Sequence, residues 1–138
     1  MSITLSNLPW LGIELASVLS SALGAAWIPA LCPKQYLFTL GRPANEPQSK
    51  DPIYFVGPMI CNFLVILTTA ILMLWLNITT YGAAFPFALL VGLGYLVTNT
   101  MNIAINPNMP RPIAYGVLTG AYHMVAMVLV CTVLVALK

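Results

Sequence analysis

Four long apolar stretches constrain this chain more than any other feature of its sequence. They run over about residues 8–31, 53–78, 83–105 and 113–137. At a rise of about 1.5 Å per residue, a helix over each stretch is long enough to cross the roughly 30 Å of hydrocarbon in a bilayer. Helices satisfy their own backbone polar groups in that solvent. The sequence therefore predicts an all-α fold, an integral membrane bundle of four transmembrane helices.

The composition leaves little chain outside the bilayer. Of the 138 residues, 60% are hydrophobic and 6% are charged, and the mean hydropathy is +0.93. These values lie far outside the range of soluble globular domains. We expect a single domain over residues 1–138, with a polar loop at 32–52 as its one sizeable connector. A net charge of +2, without a basic cluster interleaved with aromatics, argues against a nucleic-acid partner.

The basic residues predict how the bundle is oriented. Lys34, Arg42 and Lys50 lie in the first loop and Arg111 lies in the third, whereas Lys138 stands alone on the opposite side. Cytoplasmic loops of membrane proteins carry an excess of Lys and Arg. Both loops are therefore expected in the cytoplasm, with both termini on the non-cytoplasmic side.

Polar side chains recur at helical spacing in the third apolar stretch. Tyr95, Asn99, Asn102 and Asn106 fall within about one quarter of a helix circumference. Amide groups without partners are costly in hydrocarbon, so this stripe is expected to face protein, a cavity or a ligand rather than lipid. The sequence leaves open whether the partner belongs to the same chain or to another copy.

Isolated polar residues in the other spans are further candidates. Glu14 is a carboxylate within the first span, and such a group normally pairs, protonates or marks a pathway. His123 in the fourth span carries an imidazole, whose ordinary pKa of about 6.5 suits acid–base chemistry. Asn62 and Thr119 add hydrogen-bonding groups to the second and fourth spans. The simpler alternative for each is a hydrogen bond that holds two spans together.

A pair of glycines in the fourth span predicts a close helix contact. Gly116 and Gly120 have the spacing that lets two membrane helices approach closely. Four spans bury little of their own surface, so we expect a homo-oligomer that associates through this face. His123 lies on the same face and is expected to point into that contact.

Several chemistries are excluded by the residues that are missing from the sequence. Cys32, Cys61 and Cys131 have no CxxC spacing, and one histidine without nearby carboxylates leaves any metal ion short of ligands. The chain contains no GxSxG sequence and no glycine-rich phosphate loop. We therefore predict no metal, no cofactor, and neither hydrolase nor nucleotide-dependent activity.

Short motifs near the two ends of the chain point to a family. They are Pro9-Trp10-Leu11, Gly24-Ala25-Ala26-Trp27 followed by Pro29, and Gly120-Ala121-Tyr122-His123-Met124. Together with Asn102, they resemble the signatures of small four-span membrane proteins known only as domain of unknown function family 1761. The resemblance implies a four-span architecture and the importance of Trp27, Asn102 and His123. It implies no particular reaction.

Hypotheses from three classes of function follow. The leading one is a membrane protein that holds a small lipophilic molecule in an intramembrane pocket with a few convergent polar groups. The predicted ligand-binding residues are Trp27, Asn62, Asn99, Asn102 and Thr119, with His123 beside them. A second hypothesis is a cofactor-independent isomerase or cyclase of a biosynthetic pathway, in which Glu14 or His123 acts as acid or base. A third is a structural or assembly subunit of a membrane complex, without a ligand.

Overall fold

Four apolar helices dominate the fold. A computed structural model describes residues 5–47 and 49–138, and within them the secondary structure is helical, without strands. Four helices are long and apolar enough to cross a membrane, which confirms the predicted all-α architecture. The first to fourth spans are Trp10–Leu31, Ile53–Trp75, Tyr81–Ala104 and Pro112–Ala136.

Two of the spans are interrupted by wider, π-helical turns. The first consists of α1 (Trp10–Ala26) and a π-helical turn at Trp27–Leu31, where Pro29 lacks the N–H that an α-helical bond needs. The third consists of α4 (Tyr81–Val91), a π-helical segment at Gly92–Val97 and α5 (Thr98–Ala104). Such turns change the direction in which the following side chains point.

A 3-10 turn at Leu5–Asn7 and three further α-helices complete the helical elements of the described chain. A short helix α2 (Pro33–Thr39) lies within the connector predicted at 32–52, and α3 (Ile53–Trp75) and α6 (Pro112–Ala136) are the second and fourth spans. Proline at the first position of α2 is favourable because its φ angle suits a helix start. The helix packs against the fourth span and buries Leu37 and Thr39.

The fourth span is the centre of the packing. It contacts the first span and the whole length of the third, whereas the second span packs mainly on the first. Within the described chain, the fourth span is thus almost the only neighbour of the third. The exposed side of the third span is left to face the bilayer or another molecule.

The apolar core occupies one half of the bundle. Its buried side chains include Ile13 near the start of the first span, Ile66 in the second, Phe87 near the start of the third and Leu134 near the end of the fourth. Ile66 lies near the middle of its span, and the other three positions lie in the half of the bundle that is nearer to the chain termini. The opposite half, toward the first and third loops, holds most of the polar side chains of the spans.

Gly116 and Gly120 form a close helix contact, as their spacing predicted, but the contact lies within the chain. Both are buried against the third span. A Cβ atom on Gly116 would lie 2.5 Å from the sulfur of Met101, and one on Gly120 would lie 3.0 Å from a γ-carbon of Val97. The face expected to join two copies is therefore already occupied, because the third and fourth spans pack through it. Contact between copies needs another surface.

Candidate functional site

The polar residues predicted to form one site do not share one space. They form an interhelical network, a pair on the fourth span that adjoins this network at Tyr122, an outward pair on the third span, and a carboxylate that has no ion pair with the described residues. These groups are Asn62 with Trp27, Thr119 with His123, Asn99 with Asn102, and Glu14.

Asn62 joins the first and second spans through both ends of its amide. The hydroxyl of the fully buried Ser20 donates to Asn62 Oδ1 at 3.0 Å, and Asn62 Nδ2 donates to Ser21 Oγ at 3.2 Å. The amide therefore already has hydrogen-bond partners inside the bundle. This arrangement is the interhelical bond that membrane asparagines commonly form.

Trp27 and Tyr122 join the first span to the fourth. The indole Nε1–H of Trp27 donates to the carbonyl of Leu118 at 3.2 Å, and the two aromatic rings lie 6.2 Å apart. The hydroxyl of Tyr122 donates to the carbonyl of Ser20 at 3.4 Å. A Cβ atom on Gly24 would lie 2.9 Å from that hydroxyl, so the glycine makes room for the tyrosine. Tyr122 was not among the predicted site residues, although Tyr122 and Trp27 belong to the two family motifs that meet here.

Thr119 and His123 are polar groups whose partners are not found in the described parts of the chain. The hydroxyl of Thr119 is buried and makes no hydrogen bond there. His123 lies one helical turn further on the same face and is half-buried, with its ring 5.1 Å from that of Tyr122. One face of the fourth span therefore presents the Thr119 hydroxyl and the His123 imidazole beside the ring of Tyr122.

Asn99 and Asn102 point away from the fourth span. Val97 faces Gly120, and Asn99 follows it by two residues, which is about 200° around a helix. Both asparagines are exposed, Tyr95 on the same stripe is 72% exposed, and neither amide bonds to a described residue. The stripe predicted from the sequence thus faces outward, and the third span itself separates it from His123. The reason is that the third span, among the residues that the structure describes, packs almost only on the fourth span.

The other two polar candidates lie at opposite ends of the bundle. Asn106 caps the third span, since its Nδ2 donates to the carbonyl of Ile103 and its Oδ1 accepts from the N–H of Asn108, both at 2.8 Å. Glu14 is exposed near the start of the first span and forms no ion pair with the described residues. Glu14 and His123 are therefore not an acid–base pair in this structure.

Two cavities lie outside the predicted ligand-binding set. One of about 750 Å³ opens at the end that carries the first and third loops, and one of about 100 Å³ lies near Tyr81, Phe85 and Thr132. Among residues 5–47 and 49–138, no group of three His, Cys, Asp or Glu side chains is placed to hold a metal ion.

The fold and its polar groups together define this chain as a multi-pass integral membrane protein with hydrogen-bonding groups inside its spans. The chain belongs to the family DUF1761, described as a protein of unknown function, whose family model matches residues 11–135. This match confirms the family resemblance seen in the motifs. Comparisons with curated proteins and with solved structures found no match.

Proposed function

We propose that this protein is a membrane-embedded assembly subunit whose copies associate through the outward stripe of the third span. The observation that carries the proposal is the exposure of Asn99 and Asn102 on a span that, within residues 5–47 and 49–138, packs almost only on the fourth span. Burying an amide in an apolar medium without a partner costs about 1–3 kcal/mol by mutational estimates. The stripe is therefore stabilised by a partner outside the chain.

A second copy of the chain fits this stripe well. An asparagine side chain carries both donors and an acceptor, so an amide on one copy satisfies an amide on the other. A two-fold contact places the same surface on both sides of the interface. Gly94 on the third span has open space where a Cβ would lie, which leaves room for close approach.

The mass of the assembly tests this proposal. Native mass spectrometry of protein released from lipid nanodiscs is expected to give multiples of the 14.9 kDa chain. A chain that stays at the monomer mass in bilayers, at protein-to-lipid ratios spanning the cellular range, contradicts it.

The proposal includes the orientation of the bundle. Arg111 donates to the carbonyl of Phe38, so the first and third loops lie at one end, and Lys138 donates to the carbonyl of Thr79 at the other. The basic residues of the chain are concentrated at the first of these ends. The positive-inside rule then assigns both loops to the cytoplasm and both termini to the non-cytoplasmic side.

Binding of a small lipophilic molecule is a second candidate function, favoured by Thr119 and His123. Both present polar groups without a partner in the described chain, next to the ring of Tyr122. They lie in the half of the bundle outside the apolar core, where the start of the second span is exposed. A molecule that enters from the bilayer with one carbonyl or hydroxyl group has the chemistry to bond them.

Mass spectrometry of organic extracts tests the binding function. Purified wild-type protein is expected to carry a co-purified lipophilic compound that His123→Phe loses by tenfold or more, since roughly 1.4 kcal/mol of lost binding is tenfold in affinity. Thr132→Val, an exposed change on the same helix, is expected to retain the compound. Equal amounts in all three proteins would contradict a site at His123.

The isomerase or cyclase hypothesis uses the same half-buried imidazole. Because Glu14 and His123 lie apart, an acid–base step here relies on His123 alone. If extracts hold a compound that the protein converts, His123→Gln is expected to abolish conversion and Glu14→Gln to leave it unchanged. Loss of conversion on Glu14→Gln would instead assign the chemistry to the first span.

A further inference from the structure

An open cavity of about 750 Å³ lies where α2 and the chain after it meet the third loop. Lys34, Arg42 and Arg111 line it, together with the amide of Gln35 and the ring of Phe38. These residues come from two separate parts of the sequence. In the sequence, the same cations indicate only the orientation of the bundle.

The cavity concentrates positive charge. Three of the chain's five Lys and Arg residues line it, and none of its described lining residues is acidic. Glu46 lies 3.6 Å from Arg42, but both side chains are exposed, by 37% and 56%. An ion pair so exposed is weak. Arg42 therefore stays available to an anion, and a concave wall beside an apolar bundle strengthens the local field.

Arg111 is held in place on the cavity wall. Its guanidinium lies 3.8 Å from the centre of the Phe38 ring and donates one N–H to the carbonyl of Phe38. A guanidinium has five N–H donors, so others remain for a ligand. Stacking on an aromatic ring reduces the entropy that binding would cost.

Arg42 is positioned by the backbone turn that ends α2. Gly41 adopts a φ of 67°, its N–H donates to the carbonyl of Phe38 at 3.1 Å, and the Arg42 N–H donates to the carbonyl of Leu37 at 3.0 Å. This is the Schellman arrangement, which favours glycine at the left-handed position. A Cβ on Gly41 would also lie 3.3 Å from Pro110, so the turn packs tightly on the third loop.

We propose that this cavity binds the phosphate group of an anionic ligand. Guanidinium groups match phosphate oxygens in a fork geometry, and an ammonium group such as that of Lys34 adds a point charge. The helix α2 begins two residues after the first span ends at Leu31, which places the cavity at the level of lipid headgroups. The phosphate therefore belongs either to an anionic phospholipid or to a soluble phosphate compound.

The test compares two double variants with equal loss of charge. Lys34→Gln with Arg42→Gln removes two cavity cations, and Lys50→Gln with Lys138→Gln removes two exposed cations outside the cavity. Arg111 is left intact because it also bonds the backbone of α2. In one arm, full-length protein from bilayers of equal phosphatidylglycerol and phosphatidylcholine is analysed for retained lipid by native mass spectrometry. In the other, its melting temperature in phosphatidylcholine nanodiscs is compared in inorganic phosphate and in chloride at equal ionic strength.

Wild-type protein and the Lys50→Gln, Lys138→Gln control are expected to prefer the phosphate-bearing anion. In the Lys34→Gln, Arg42→Gln variant, we expect this preference to fall about tenfold. Selective retention of phosphatidylglycerol without stabilisation by phosphate identifies a lipid headgroup. Stabilisation by phosphate without lipid selectivity identifies a soluble phosphate compound. The proposal is overturned if wild-type protein shows neither preference, or if the control variant loses it as much as the cavity variant.

Discussion

Replacing Asn99 and Asn102 together with leucine is expected to weaken the association of copies roughly hundredfold in bilayers. Interhelical hydrogen bonds in membranes contribute about 0.6–2 kcal/mol each, and both copies of a pair lose their amides. A loss near 3 kcal/mol is roughly a hundredfold change in the dissociation constant. A leucine side chain is about as favourable against lipid as against protein. The two substituted positions therefore contribute no free energy to association.

Energy transfer between labelled copies in liposomes, measured as protein is diluted with lipid, gives the dissociation constant. Thr68→Leu is the matched control, since it replaces an exposed polar side chain with leucine on the second span. We expect it to associate like the wild type. An Asn99→Leu, Asn102→Leu protein that associates as tightly as the control would remove the reason to assign this stripe to an interface.

Replacing Gly120 with leucine is expected to lower the free energy of unfolding by about 2–3 kcal/mol. A Cβ atom added at Gly120 would lie 3.0 Å from a γ-carbon of Val97. Because Val97 is β-branched and its χ1 angle is stiff, it has no easy rotation away from the new side chain. The third span must therefore move off the fourth, and most of its packing is lost with that shift.

Unfolding in mixed micelles of mild detergent and SDS measures this free energy. Gly82→Leu is the control, because a Cβ at Gly82 meets no heavy atom within 4 Å. That variant should unfold at the wild-type SDS fraction or above it, as leucine favours helix more than glycine does. If Gly120→Leu is as stable as Gly82→Leu, the third and fourth spans do not pack through this glycine.

The helical spans were predictable because the physics that sets them is local. A transmembrane helix needs an apolar run long enough to cross the hydrocarbon of the bilayer. Ile53–Trp75 has that length whatever its neighbours are. The helical face on which a polar residue lies follows from spacing, and Asn99 and Asn102 do share one face of the third span.

The neighbour that each face meets was not predictable from spacing. Gly120 correctly indicated a close helix contact, but nothing in its spacing says whether the partner helix is in the same chain. Asn62 and Trp27 were candidates for a ligand site, and the structure shows both bonded to other spans. A ligand function for them stays a proposal that would require those bonds to rearrange.

The cation-lined cavity depends on tertiary contact between distant segments. Arg42 and Arg111 are far apart in the sequence, and the turn at Gly41 together with the stacking of Arg111 on Phe38 brings them to one wall. The connector at 32–52 was predicted as a polar loop, but it contains a short helix. Its helix α2 is stabilised by packing on the fourth span, which local composition does not reveal.

Disulfide cross-linking in native membranes tests whether the third spans of two copies face each other. In a background with Cys32, Cys61 and Cys131 replaced by alanine, Tyr95→Cys places one thiol on the outward stripe, and Leu64→Cys places one on the exposed face of the second span. With mild oxidant, Tyr95→Cys is expected to give a cross-linked dimer and Leu64→Cys to remain a monomer. Efficient cross-linking at Leu64→Cys with none at Tyr95→Cys would show that copies meet elsewhere and that the asparagine stripe faces lipid.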